Sequence, residues 1–258
     1  IETPILLTNT MSIGTAYTAL CKYMLKQNPD IGVTTGTVNC LVTECNDGTL
    51  NDICGMHVQE SDVRSAIEAA GPDFAEGCVG SGSGMCCLGL KGGIGSASRV
   101  LEIDGAEYTV GALVMSNFGA PGNLVIGGQH YDTNKACISD PKDRGSIIII
   151  LATDIPLSER QLGRVAKRAA ISLGRVGSFC GNGSGDIAIA FTTANRIPHY
   201  SDRDILTCRM FYDENIDKVF EASVEAVEEA IVSSLYHAET THGIRGKTAV
   251  ALRDFLAI

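Results

Sequence analysis

The chain has 258 residues, 45% of them hydrophobic, and its 30 acidic and 20 basic side chains give a formal net charge of -10. An acidic chain has little attraction for nucleic acid or for an anionic membrane surface, so we expect neither as a partner. The longest apolar run, 147–152, is far shorter than the roughly 18 to 20 residues of a membrane helix. The composition therefore predicts a globular protein, and its length suits a single domain, 1–258.

The ten cysteines have neither the spacing of a metal site nor the setting of a disulfide framework. Cys86 and Cys87 are adjacent in an apolar run, and no CxxC pair or zinc-finger spacing occurs. Because an unoxidised cysteine behaves as a small buried hydrophobe, we expect reduced thiols and a reducing cytoplasm. The sequence begins at Ile1 without Met, so the possibility of an upstream signal peptide stays open.

Hydrophobic periodicity and turn residues predict a mixture of strands and helices along the chain. In chain order they are a strand at 4–10, a helix at 12–26, a strand at 38–43, a helix at 61–70, strands at 85–90, 98–103, 108–116 and 146–152, a basic helix after 158, a strand at 187–193 and a helix at 215–237. Because the strands are grouped before the long helices, the order favours an α+β fold.

Caps and turns separate these predicted elements. Ser61 is the expected N-cap of the second helix, and Ser158 with Gln161 has the spacing of a capping box. A Gly-rich turn is expected at 91–95, and the segment 120–144 has the composition of an exposed loop.

Common catalytic signatures are absent from the sequence. It contains no P-loop, HExxH, G-x-S-x-G or EF-hand motif, and its glycine strings do not complete GxGxxG between a strand and a helix. None of the five histidines stands at metal-ligand spacing from another, so we expect surface or core roles for them. The sequence thus predicts no metal.

The dipeptide Gly145-Ser146 joins the polar loop to the most hydrophobic strand. This is the arrangement of a self-cleaving N-terminal nucleophile, in which the hydroxyl attacks the preceding carbonyl and water releases a new N-terminal serine. Glycine lacks the Cβ that would crowd the attack. The released α-amine, with an ordinary pKa near 7.7 to 8.0, is then a base for its own hydroxyl. The alternative is that Gly-Ser merely ends a loop.

A second small-residue segment, 177–186, runs directly into the strand at 187–193. Ser184 and Asp186 supply a hydroxyl and a carboxylate two positions apart, which places them on one face of an extended segment.

Both motifs belong to an ordered set that spans nearly the whole chain. The set comprises 4–10 (PILLTNT), Glu44 with 47–48 and 50–52, 82–85 (GSGM), 91–99 (KGGIGSASR), 116–119 (SNFG), 145–146 with the isoleucine run and 152–154, 181–186 (GNGSGD) and 193–196 (TANR). In this order the motifs resemble the DmpA family of L-aminopeptidase/D-esterases and β-peptidyl aminopeptidases, peptidase family S58.

The resemblance implies an αββα sandwich of the DmpA/ornithine acetyltransferase type. It implies self-cleavage between Gly145 and Ser146 into an α chain, 1–145, and a β chain, 146–258, which stay associated. Relatives carry a further N-terminal region before residue 4, and that region is expected to be missing here.

The resemblance also implies roles for particular side chains. Ser146 matches the nucleophile, and Asn117 matches the amide that helps to bind the oxyanion. Ser184 and Asp186 match the pair that orients the nucleophile and its amine, and Glu44 matches the carboxylate that holds the substrate's amino group. As alternatives, Glu44 is a surface acid, Asn117 a turn residue and Asp186 an ordinary strand-start carboxylate.

The resemblance implies a serine aminopeptidase that hydrolyses short peptides, amino-acid amides or esters without a cofactor, as a homo-oligomer of αβ units. Relatives usually have an aromatic residue where this chain has Asn46, and often Glu where it has Asp186. Two alternatives stay open. One is an inactive, uncleaved binding or assembly protein of the same fold. The other is an ornithine acetyltransferase or amide-oligomer hydrolase, although those relatives use Thr at the cleavage point.

Overall fold

The computed structural model describes residues 1–136 and 145–257. Its strands are β1 (Ile5–Asn9), β2 (Leu41–Cys45), β3 (Cys86–Cys87), β4 (Leu90–Lys91), β5 (Gly93–Ile103), β6 (Ala106–Asn117), β7 (Leu124–Ile126), β8 (Gln129–Tyr131), β9 (Ser146–Thr153), β10 (Gly185–Thr192), β11 (Thr241–His242) and β12 (Thr248–Ala249). Its helices are α1 (Ile13–Gln27), α2 (Glu60–Ala69), α3 (Glu159–Arg175), α4 (Asp217–Tyr236) and α5 (Leu252–Phe255). None of the helices in these two ranges has the length and apolar character needed to cross a membrane.

The larger sheet has the strand order β10-β9-β6-β5, with only β9 and β10 parallel. Its strand β9 is apolar from residue 147 to residue 152 because both of its faces are covered. Ile147, Ile149 and Leu151 belong to one core cluster, whereas Ile148 and Ile150 belong to another. Since successive side chains of a strand point to opposite faces, β9 contributes to two separate layers of core.

Helices α3 and α4 cover one face of this sheet, where α4 packs on β5 and β6 and α3 packs on β10. The helix α4 approaches so closely that a Cβ on Gly95 would lie 2.1 Å from the Ala230 carbonyl oxygen. This contact corrects the predicted turn at 91–95, because β5 begins at Gly93. Gly95 allows a helix to approach the sheet, and the segment does not reverse the chain.

The other face of the larger sheet packs against a smaller one, the parallel pair β1 and β2. Ile5, Leu7 and Cys45 of this pair contact the cluster that contains Ile148 and Ile150. On the outer side, α1 and α2 cover the pair through a third cluster of apolar side chains. The order helix, sheet, sheet, helix confirms the expected αββα sandwich and the α+β class.

Most predicted elements are confirmed to within a few residues, and the capping box of Ser158 and Gln161 is present at the start of α3. The predicted cap of α2 was wrong, because Gln59, two residues earlier, is the N-cap and forms a capping box with Asp62, and Ser61 lies inside the helix. The predicted strand at 85–90 is a tight hairpin of β3 and β4. Strands β7 and β8 occupy part of the predicted loop at 120–144, of which 137–144 lies outside the described residues.

The burial of β9 predicts that truncating one of its core side chains lowers the stability of the protein. Ile149 is 1% exposed and lies in the cluster beneath α3 and α4. We expect Ile149→Ala to lower the free energy of unfolding by about 2–5 kcal/mol, because a cavity opens in a packed core. Ile171→Ala on the outer side of α3, at a residue 51% exposed, is the control and should change it by no more than about 0.5 kcal/mol. Equal changes in the free energy of unfolding for the two variants, measured by urea denaturation, would contradict this description of the core.

Candidate active site

Ser146 and Asn117 lie directly opposite each other at one end of the larger sheet. Ser146 is the first residue of β9, Asn117 is the last residue of β6, and the antiparallel register pairs them. Ser146 shares its face of the strand with Ile148, and Asn117 shares its face with Met115, both of which are in the cluster between the two sheets. The hydroxyl and the amide therefore face the same interior, between the sheets.

The amide of Asn117 is held in one orientation. The side chain is 7% exposed. Its Oδ1 accepts a hydrogen bond of 2.9 Å from the backbone N–H of Cys86, and its Nδ2 donates one of 3.0 Å to the carbonyl oxygen of Asn46. A backbone N–H only donates and a carbonyl only accepts, so these two partners fix which end of the amide is the nitrogen. The second N–H of Nδ2 is thereby fixed in direction as well.

The residue before Ser146 has no space for a side chain. A Cβ on Gly145 would lie 1.9 Å from the carbonyl oxygen of Asn117 and 2.7 Å from the Cα of Phe118. The carbonyl oxygen of Gly145 in turn accepts a hydrogen bond of 3.0 Å from the backbone N–H of Gly185. This donor polarises the carbonyl group that precedes the serine.

Ser184 and Asp186 lie on either side of Gly185, across from Ser146. The parallel register pairs Gly185 with Ser146, and a Cβ built on Gly185 would lie 3.3 Å from the Ser146 Oγ. The hydroxyl of Ser184 donates a hydrogen bond of 2.6 Å to Oδ1 of Asp186. The two side chains thus meet on one side of the chain, as their spacing predicts.

The pKa of the Cys45 thiol is affected by nearby carboxylates. Cys45 is fully buried between the sheets, and its Sγ lies 3.7 Å from the carbonyl oxygen of Met115. Burial is the largest of the causes that raise the pKa of the Cys45 thiol to about 12. The carboxylates of Glu44, Asp186 and Asp47 contribute to this increase, and a hydrogen bond opposes it. Carboxylates from both sheets therefore act on the Cys45 thiol between the sheets.

Glu44 is the one predicted site residue that the smaller sheet contributes. It lies on β2 in the smaller sheet, and its Oε2 accepts a hydrogen bond from the hydroxyl of Thr10. Its connection to the other residues runs through Asn46, two positions on, whose carbonyl binds Asn117. Across 1–136 and 145–257, no group of three or more His, Cys, Asp or Glu side chains is arranged to hold a metal ion.

Sequence reasoning missed three backbone groups of this site. They are the N–H of Cys86, the N–H of Gly185 and the carbonyl of Asn46. Backbone groups carry no residue-type signal, and their positions depend on how the sheets and loops pack. The motif at 82–85, which leads into Cys86, indicated that the segment matters but not which atom acts.

Comparison with known proteins identifies relatives over nearly the whole chain. The model of peptidase family S58 matches residues 1–249. The β-peptidyl aminopeptidase BapA of Sphingosinicella microcystinivorans is 39% identical over 95% of this chain, and BapA of Sphingosinicella xenopeptidilytica is 34% identical over 93% of it. The chain spans less than two thirds of the length of these two relatives, 65% and 63%.

Solved structures show the same fold. The PH0078 protein of Pyrococcus horikoshii OT3 is 52% identical and superposes with a TM-score of 0.93, over all of this chain and 71% of that one. The L-aminopeptidase D-Ala-esterase/amidase of Ochrobactrum anthropi, described as a variant of the Ntn hydrolase fold, is 40% identical with a TM-score of 0.84, over 95% of this chain and 69% of that one. With its four-layered sandwich and the family match over 1–249, the chain belongs to peptidase family S58.

Proposed function

We propose that this chain is a self-processing serine aminopeptidase with Ser146 as its nucleophile. The observation that carries the proposal is the register that sets Ser146 opposite Asn117, next to a glycine that has no space for a side chain. The relatives named as aminopeptidases support the class of reaction. The proposed substrates are short peptides, amino-acid amides or esters with a free amino group, and no cofactor enters the reaction.

The first proposed step is cleavage of the chain between Gly145 and Ser146. The Ser146 Oγ attacks the Gly145 carbonyl carbon, the C–N bond breaks, and the resulting ester is hydrolysed by water. The Gly185 N–H, 3.0 Å from the Gly145 oxygen, is placed to stabilise the negative charge that develops on that oxygen. The products are an α chain, 1–145, and a β chain, 146–258, within one domain.

The second proposed step is attack on the substrate. The released α-amine of Ser146 takes the proton of its own hydroxyl, and Oγ adds to the substrate carbonyl carbon. The N–H of Asn117 Nδ2 that does not bind Asn46 stabilises the oxyanion. The leaving amine or alcohol takes the proton, and water then hydrolyses the acyl-enzyme. The hydrogen-bonded pair Ser184 and Asp186 orients the released amine.

The proposed binding site for the substrate's ammonium group is Glu44, whose assignment follows the family resemblance. The hydroxyl of Thr10 holds its carboxylate from one side. A homo-oligomer of αβ units in a reducing cytoplasm is proposed on the same resemblance and on the thiol-rich sequence.

We expect Glu44→Gln to remove the preference for a free amino group. With an amino-acid amide, kcat/KM should fall about tenfold, because a neutral amide replaces a charge-assisted partner of the ammonium group. With the N-acetylated amide, the low rate should stay unchanged. Glu68→Gln, at an exposed position of α2, is the control and should behave as the parent.

Paired assays of the free and the acetylated amide check this prediction. An unchanged ratio of kcat/KM for the two substrates in Glu44→Gln would remove Glu44 from the ammonium site. Failure of the parent protein to hydrolyse any free-amine substrate would remove the proposed function itself.

A further inference from the structure

We propose that Cys21 and Cys40 form a reversible disulfide that joins helix α1 to strand β2. Cys21 lies in the second half of α1, and Cys40 is the residue immediately before β2. Their Sγ atoms are 3.4 Å apart. The pair is separate from Ser146 and its neighbours, so the proposal does not depend on the proposed peptidase reaction.

The geometry requires little movement for a bond to form. Two sulfur atoms at 3.4 Å are already in van der Waals contact, and a disulfide bond has a length of about 2.05 Å. Helix α1 packs against β2, so the backbone on both sides of the pair is held by the fold. Both cysteines are half-buried, so a small oxidant can reach their sulfur atoms. Rotation about the side-chain torsions is then the main change needed.

The oxidant is a low-molecular-weight disulfide such as oxidised glutathione. One thiolate attacks a glutathione sulfur and expels one glutathione thiolate, which forms a mixed disulfide. The second thiolate attacks the protein sulfur of that mixed disulfide and expels the other glutathione. In total the two cysteines lose two protons and two electrons, and one oxidised glutathione becomes two reduced molecules.

The reaction should be slow at neutral pH and faster in alkali. Burial, and after it the neighbouring Cys21, raise the pKa of the Cys40 thiol to about 12. The attacking species is the thiolate, whose fraction grows as the pH rises toward the pKa. The pair thus stays reduced on brief exposure and oxidises on sustained exposure.

The bond would close a loop that is part of a large surface cleft. The segment between the two cysteines includes Asp30, whose carboxylate accepts a hydrogen bond from the hydroxyl of Tyr200. Asp30, Val38 and Tyr200 all line a cleft of about 1280 Å³. A disulfide at the base of this loop reduces its freedom in the unfolded chain and stabilises the folded state.

The test is peptide mapping of the whole protein after incubation with oxidised glutathione at pH 8.5. We expect a species two hydrogens lighter, in which fragmentation locates a bond between Cys21 and Cys40 and which dithiothreitol reverses. The oxidised protein should melt on the order of 5 °C higher than the reduced protein. Cys21→Ser and Cys40→Ser should each remove the linked species, and Cys208→Ser, at an exposed thiol, should retain it.

Separate glutathione adducts on Cys21 and Cys40, or full alkylation of both after the incubation, would overturn the proposal. A bond from either cysteine to a different partner would overturn it as well. The peptide map of the unmutated protein alone shows whether Cys21 and Cys40 are linked to each other. The test therefore still decides if one of the serine variants fails to fold.

Discussion

Replacement of Ser146 by alanine is expected to leave one uncut chain with no measurable hydrolysis. The variant removes the only atom that we assign to both bond-forming steps, attack on Gly145 and attack on the substrate. The strand should survive, because Ser146 is the first residue of β9 and the buried isoleucines follow it. Denaturing electrophoresis and an amide hydrolysis assay measure the two losses, and circular dichroism checks the fold.

Ser65→Ala in α2, at an exposed serine, is the matched control and should be cut and active like the parent. Turnover that persists in folded Ser146→Ala would show that another residue is the nucleophile. Cleavage that persists without turnover would separate the two steps, and it would contradict a shared nucleophile.

Replacement of Asn117 by alanine is expected to lower kcat about 100- to 1,000-fold, with a smaller change in KM. Its amide is buried and fixed by Cys86 and Asn46, so its remaining N–H is already aimed and needs no reorganisation in the transition state. The oxyanion exists only in the transition state and the tetrahedral intermediate, which is why kcat should carry the loss.

The rates are measured on the processed fraction, separated from any uncut precursor. Asn195→Ala, whose side chain binds the backbone of Arg209 in an exposed loop, is the control. A processed Asn117→Ala enzyme with the parent's kcat would remove this amide from the oxyanion site.

The sequence predicted those features that depend on local pattern. The run Ile147–Ile150 predicted a strand covered on both faces, and all four side chains are buried. The spacing of Ser184 and Asp186 predicted that their side chains lie together, and they are hydrogen-bonded. The capping box at Ser158 was predicted because its geometry lies within one turn of helix.

Features that depend on packing could not be predicted in this way. The glycines at 91–95 resemble a turn in the sequence, but Gly95 is required because helix α4, which is distant along the chain, packs against it at Ala230. Every residue except proline has a backbone N–H. Only the folded chain therefore shows that the N–H of Cys86 meets Asn117 and that the N–H of Gly185 meets Gly145.

Intact mass of the purified protein under denaturing conditions shows directly whether the chain is cleaved before Ser146. Self-cleavage should give two polypeptides, whose masses add up to that of the chain plus one water and whose boundary falls between Gly145 and Ser146. The new N-terminal serine should be confirmed by fragmentation of the second polypeptide. A single uncut chain in a protein that hydrolyses amino-acid amides would contradict the account, since the amine assigned as the base would not exist.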